Sequence, residues 1–206
     1  MSVTSAGSRR SRRVALPACL VAALLSGCSD GQLDSFEVAS VRTGLLDDFE
    51  DRDNAVEPDG WWYSTDDGTG PAARMTFDEI TGRGASRHAA HLAAGPTTGF
   101  GSFLGLDLPG GLFDATAYAS LSLWARMVPS GELSVRFQNP RGTQYEQLAN
   151  LDDTWQELSL PLSGFVSPED GTSLDPNGVT HLQLWVAGAR PAFDLYVDDV
   201  RLLRGP

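Results

Sequence analysis

The stretch Phe193-Asp194-Leu195-Tyr196-Val197-Asp198-Asp199-Val200-Arg201-Leu202 holds the first residues that invite chemistry. Written as a strand, it puts Leu195 and Val197 on one side, and strict alternation places Asp199 on that same apolar side. A buried carboxylate without a partner is costly and calls for a cation or a proton. Asp48 and Glu50 share a face of an early apolar run and offer further hard oxygens, the ligand type that calcium takes. The residues thus point to a structural calcium held by Asp199 with Glu50, helped by Asp48 or Asp198. The competing reading is a β-bulge at Asp198-Asp199 that turns both side chains outward. An EF-hand is excluded, because 48–59 carries Asp53 where that loop needs its glycine.

Catalysis finds less support. His88, His91 and His181 are scattered, and His88 and His91, three apart in a strand-like run, project to opposite sides. Glu146, Asp152, Asp153 and Glu157 could flank a glycosidic bond. With 27 acidic residues in the chain, however, such pairs arise by chance. No glycine-rich phosphate loop follows a strand and opens a helix. A non-enzymatic role is therefore expected, with a jelly-roll glycosidase or polysaccharide lyase, or an envelope assembly or adhesion protein with no sugar site, as the alternatives.

A second constellation comes from alternation. In 119–127, Leu121, Leu123, Ala125 and Met127 share one side, and Ser122, Trp124 and Arg126 the other. In 133–138, Leu133, Val135 and Phe137 oppose Ser134, Arg136 and Gln138. In 181–186, Leu182, Leu184 and Val186 oppose His181, Gln183 and Trp185. If these strands pair in one sheet, its outer face gathers Trp124, Arg126, Arg136, Gln138, Gln183 and Trp185, with Tyr145 joining from the next strand. Rings stack on the C–H face of a sugar while amide and guanidinium groups meet its hydroxyls. The competing reading is an outer face covered by a loop.

The elements that must position these residues are short. Apolar runs alternate with turn signals such as Pro109-Gly110-Gly111, Pro129-Ser130-Gly131 and Pro176-Asn177-Gly178. Strands are expected at 45–50, 61–64, 73–79, 88–94, 100–108, 119–128, 132–139, 143–149, 155–162, 180–187 and 193–203. No apolar period of 3.6 persists. This is the pattern of an all-β, two-sheet sandwich of jelly-roll type.

The start of the chain reads differently. Four arginines, Arg9, Arg10, Arg12 and Arg13, precede the apolar run Val14–Leu25, which as a helix spans about 18 Å, short of a bilayer core of about 30 Å. A basic start followed by a short apolar run is a bacterial export signal. Leu25-Ser26-Gly27-Cys28 resembles the lipobox of bacterial lipoproteins, which implies cleavage before Cys28 and its lipidation. Residues 1–27 are then the signal, 28–43 a polar tether and 44–204 the domain. Ser29 after the cysteine resembles the pattern sorted to the outer membrane. The only cysteines are Cys19 and Cys28, so the domain has no thiol for disulfide, catalysis or metal. All 15 basic residues are arginine, and the chain carries −12 overall. Beyond residue 27, 11 arginines face all 27 acids, a balance of −16. Such a body repels phosphate backbones, so nucleic acid is not an expected partner. The expected state is a monomer tethered to the cell envelope through its lipid.

Leu45-Leu46-Asp47-Asp48-Phe49-Glu50-Asp51, then Trp61-Trp62-Tyr63-Ser64 and Asp66-Asp67-Gly68, resemble the opening of galactose-binding-like jelly-roll domains. Phe193–Leu202 resembles their closing strand. Leu121–Arg126 and Trp155–Phe165 fall between them in the expected order. Over roughly 45–203 the chain is similar to the family-eleven carbohydrate-binding modules and to the complex-I intermediate-associated proteins. The resemblance implies a galactose-binding-like fold and polysaccharide binding on a concave sheet. It also implies a structural calcium tying the first and last strands at the Asp/Glu pair. The chain departs from glucan binders in one respect: its expected binding sheet offers Trp, Arg and Gln more than Tyr.

Overall fold

The computed structural model describes residues 44–205. The expected export segment 1–27, the expected tether 28–43 and Cys28 lie outside the described residues. The strands are β1 (Leu45–Asp47), β2 (Ala55–Val56), β3 (Gly60–Asp66), β4 (Arg74–Glu79), β5 (His88–Ala94), β6 (Gly101–Asp107) and β7 (Phe113–Asp114). They continue with β8 (Ser120–Val128), β9 (Gly131–Gln138), β10 (Gln144–Leu151), β11 (Gln156–Pro161), β12 (Asn177–Val179), β13 (His181–Ala187) and β14 (Phe193–Leu203). A single 3-10 turn, Leu162–Gly164, is the only helical element among the described residues. The expected strands all form. Three very short ones, β2, β7 and β12, carry too few residues for alternation to announce them.

Twelve strands build two six-stranded antiparallel sheets, the jelly-roll sandwich expected from the sequence, and β7 and β12 pair as a separate two-stranded ribbon. One sheet runs β11-β8-β14-β5-β4, with β1 also pairing β14. The other runs β10-β9-β13-β6-β3-β2. Between them lies one apolar layer. Leu121, Leu123, Ala125, Met127, Leu195 and Val197 from the first sheet meet Leu104, Leu106, Leu133, Val135, Leu182 and Leu184 from the second, all fully buried. Burying a side chain of this size is worth roughly 1.5–3 kcal/mol, so the inward set fixes which way each strand faces.

The strand order corrects one expectation. β8 belongs to the first sheet, while β9 and β13 pair in the second. Trp124 and Arg126 therefore cannot share a face with Arg136, Gln138, Gln183 and Trp185. Alternation sets the inward side of a strand but carries no information on its sheet. Tyr145 is corrected as well: it pairs with Phe137 and is buried in the core layer.

At the edge of the core, β1 brings a carboxylate inward. Asp47 is 7% exposed beside the buried Trp62 ring, which packs 5.4 Å from Phe49. Its Oδ1 accepts the Phe49 N–H at 2.7 Å, while Oδ2 and the Trp62 Nε1–H are buried without a hydrogen bond of normal geometry. Burial raises the Asp47 pKa to about 7, against the opposing pull of the Phe49 N–H. Between the ordinary carboxylate value and about 7 the folded state holds a proton that the unfolded chain has lost. Stability from this group is thus complete at low pH and is lost as pH rises towards 7. Thermal melts from about pH 5 to about pH 7.5 should show stability falling across this window. Asp47→Asn should flatten that decline.

Candidate functional site

The outer face of the β10-β9-β13-β6-β3-β2 sheet forms a grid of side chains. Strand register sets three rows across five strands. The first runs Trp61, Asp107, His181, Gln138, Gln144. The second runs Tyr63, Gly105, Gln183, Arg136, Glu146. The third runs Thr65, Phe103, Trp185, Ser134, Leu148. Most of their neighbours along each strand, among them Trp62, Leu104, Leu106, Val135, Phe137, Leu182 and Leu184, fill the core, which is why these side chains must face outward.

Aromatic groups occupy both ends. Trp61 is 50% exposed, and Phe100, just before β6, is 49% exposed. The Phe100 ring packs edge-on to Trp185 at 5.6 Å, and Trp185 lies opposite Phe103, four residues and about 13 Å along the strand from Asp107, the partner of Trp61. Tyr63 lies across Gly105: a Cβ there would come within 2.4 Å of the Tyr63 ring. The glycine keeps the middle of the face open for that ring. Burial, and then the Asp107 charge, push the Tyr63 hydroxyl above its ordinary pKa, so it stays a donor at neutral pH.

The polar centre is interlocked. Arg136 Nε donates to Ser134 Oγ at 2.8 Å and to Glu146 Oε2 at 3.0 Å. Arg136 Nη1 donates to Gln144 Oε1 at 3.1 Å, and Nη2 pairs with Glu146 at 3.0 Å. The guanidinium lies 4.2 Å from the centre of the Trp185 ring. That ring also stacks 4.8 Å from Phe103 and donates from Nε1 to the Phe100 carbonyl at 2.9 Å. Gln144 donates to Gln183, which donates to Gln138, each at 3.4 Å. These are the planar groups that the sequence marked for sugar recognition, held in fixed orientations. Trp61, Tyr63 and Phe103 were not among the expected site residues. The Trp61-Trp62-Tyr63 alternation and Gly105 between two leucines were the available signals.

Trp124 and Arg126 occupy the outer face of the other sheet. Arg126 sits 4.0 Å over Tyr196 and 5.5 Å over Trp155. Tyr196 stacks on His91 at 4.2 Å, and His91 bridges Asp78 at 2.6 Å and Asp194 at 2.8 Å. This ladder of rings and charges ties β11, β8, β14, β5 and β4 together from outside. Trp124 is capped by Arg83, 4.0 Å above it.

Arg83 also answers the question of the calcium. Asp199 has a φ of 51° and the register slips between Asp198 and Arg201, so the strand carries a β-bulge. The two aspartates fill the extra position between Val197 and Val200, both of which stay buried. Asp199 therefore leaves the apolar side. Asp198 is fully buried under the β4–β5 loop and pairs with Arg83 at 3.2 Å. Asp199 pairs with Arg83 and Arg201. Burial, then the neighbouring Asp199, holds the Asp198 pKa up against the pull of Arg83. Glu50 points elsewhere and accepts from Arg87 N–H at 2.6 Å, Ser86 Oγ–H at 3.0 Å and His88 N–H at 3.1 Å. Asp48 closes a local turn by accepting the Glu50 N–H at 3.3 Å. Among the described residues no group of three or more His, Cys, Asp or Glu converges as metal ligands. The expected calcium set does not fit the ion, because arginine already supplies the positive charge.

No protein-family model matches the chain, and no curated protein matches it in sequence. Solved structures do share its fold. The family 11 carbohydrate-binding module from Clostridium thermocellum, solved with a β-1,3-1,4-mixed-linked tetrasaccharide, superposes with a TM-score of 0.56 at 19% identity. That match covers 79% of this chain and 95% of the module. The family 30 module of the Clostridium thermocellum cellulosomal cellulase Cel9D-Cel44B gives 0.52 at 17% identity, over 70% of this chain and 91% of the module. An exo-β-agarase gives 0.59 at 18% identity, over 79% of this chain but only 26% of the agarase. The likeness establishes the fold.

Replacing Arg83 with alanine leaves buried Asp198 uncompensated and should cost about 3 kcal/mol in chemical denaturation. Chelation should leave the melting temperature of the unmodified chain unchanged. A drop on chelation that calcium reverses would contradict this assignment.

Proposed function

We propose that the chain is a non-catalytic carbohydrate-binding protein, and that the outer face of the β10-β9-β13-β6-β3-β2 sheet is its glycan platform. The observation that carries this reading is the grid itself: exposed rings at both ends and an ordered set of Gln, Arg and Tyr groups between them. The two aromatic groups, Trp61 at one end and Trp185 with Phe100 at the other, lie on rows about 13 Å apart along the strand, which suits an extended chain rather than a single ring. Arg136 is neutralised by Glu146, and Asp107 adds negative charge, which favours a neutral glycan over an acidic one. The fold shared with a module solved bound to a mixed-linked tetrasaccharide supports the reading.

Hydrolysis by this face is disfavoured. Asp107 and Glu146 lie on strands three apart, about 14 Å by strand spacing, wider than glycosidase carboxylate pairs. Within the proposal, Cys28 carries a lipid that anchors the domain to the bacterial cell envelope, with 28–43 as the tether.

Binding to β-glucans, xylans and galactans, followed by calorimetry, should give micromolar to millimolar dissociation constants, roughly −8 to −4 kcal/mol. Trp61→Ala and Trp185→Ala should each weaken binding at least tenfold. Trp155→Ala and Trp124→Ala, on the other sheet, should leave affinity within twofold. Equal losses from both pairs, or no glycan bound, would remove the platform. For the anchor, intact-mass analysis of the membrane fraction should show an acylated N-terminal Cys28, and Cys28→Ala should abolish it. An unmodified N-terminus elsewhere would reject the anchor.

A further inference from the structure

We infer that the chain has a second saccharide site, separate from the platform, in the cavity where the β9–β10 turn meets the segment leading into β12. The cavity measures about 470 Å³, the size of a small-molecule site rather than of a macromolecular interface. Leu112, Asn139, Arg141, Tyr145, Asp175 and Asn177 are among the residues that line it.

Its polar groups are arranged to leave donors and acceptors open. Asn139 is held in place: its Oδ1 accepts the Arg141 N–H at 2.9 Å and the Thr143 N–H at 3.0 Å, and one of its two Nδ2 hydrogens is donated to the Tyr145 hydroxyl at 3.2 Å. Tyr145 is 8% exposed, its ring in the core and its hydroxyl at the cavity wall. Because that hydroxyl accepts from Asn139, its own proton remains to be donated. Among the described residues Arg141 makes no ion pair, and it is exposed at the rim. Asp175 spends Oδ1 on the Asn177 N–H at 2.9 Å and keeps Oδ2. Two donors and a carboxylate acceptor thus face one space.

The apolar part of the lining completes the match. Leu112 is 59% exposed and lies over Gly178, where a Cβ would come within 2.9 Å of Leu112 Cδ1. Gly178 has a φ of 91°, a backbone conformation that only glycine adopts readily. Arg141 and Asp175 balance in charge, so the ligand is neutral. It must offer hydroxyls to both donors and acceptors and a C–H face to Leu112. A pyranose ring, free or at the end of a glycan, has that chemistry. The platform's Gln138 and Gln144 flank the same turn, but neither lines the cavity, whereas Tyr145, of opposite parity to Gln144, does.

The test is an amide NMR titration of the purified chain with methyl β-D-glucopyranoside and methyl β-D-galactopyranoside, single rings too short to span the platform. At least one should shift the Gly142 and Gly178 signals with a millimolar dissociation constant. Tyr145→Phe, which keeps the ring in the core, and Arg141→Ala, on the exposed rim, should each weaken that binding at least fivefold. Trp61→Ala should leave it within twofold. No shift at Gly142 and Gly178 with either glycoside would overturn the site. So would shifts confined to Gly105, shifts unaffected by both pocket substitutions, or shifts lost with Trp61. The mixed-linkage tetrasaccharide, read at Gly105, reports on the platform separately, so either site can fail while the other stands.

Discussion

One apolar layer shared by two sheets sets the rest of the molecule. Leu104, Leu106, Leu182 and Leu184 from one sheet, and Leu121, Leu123, Leu195 and Val197 from the other, are fully buried. A slip of one residue in any of these strands would expose its apolar set, so the inward parity is strongly enforced. The outward parity then follows without further choice. Trp61 and Tyr63 face out because Trp62 faces in, and Gln183 and Trp185 face out because Leu182, Leu184 and Val186 face in. The binding face is a by-product of core packing, and this makes it rigid. Side chains already fixed by hydrogen bonds lose little freedom when a ligand arrives.

The two outer faces spend the same residue types differently. On the sheet containing β8 and β14, rings and charges pack against one another: Arg126 with Tyr196, His91 with Asp78 and Asp194, and Arg83 with Trp124, Asp198 and Asp199. Such a face stitches strands. On the sheet containing β9 and β13, the interlocked Arg136 and glutamines leave Trp61 and Phe100 half exposed at the ends. Rings that nothing in the fold covers are the ones free to stack on a ligand.

Much of this was legible in the sequence. Alternation located every long strand and gave the inward side of β8, β9 and β13 correctly, because period two is a local property of the chain. Sheet membership is not local. Trp124 and Trp185 read alike as outward residues of neighbouring strands, yet strand order puts them on opposite faces of the sandwich. Tyr145 was misplaced for a related reason. The turn between β9 and β10 sets Gln144 opposite Gln138 and Tyr145 opposite Phe137, and one residue of register separates the platform from the core. In β14 strict parity failed at Asp199, where a positive φ inserts one extra residue. The loop-end cavity draws its residues from three separated segments, and no local pattern connects them.

The account rests on the glycan meeting one sheet and not the other, and the five indole N–H signals separate these cases directly. Trp61 and Trp185 lie on the proposed platform, Trp62 in the core, and Trp124 and Trp155 on the side of the opposite sheet. In a titration with the β-1,3-1,4-mixed-linkage tetrasaccharide, the Trp61 and Trp185 indole signals should move together and saturate, while those of Trp124 and Trp155 stay in place. Movement of the Trp124 and Trp155 signals with Trp61 and Trp185 unmoved would contradict the assignment of the binding face.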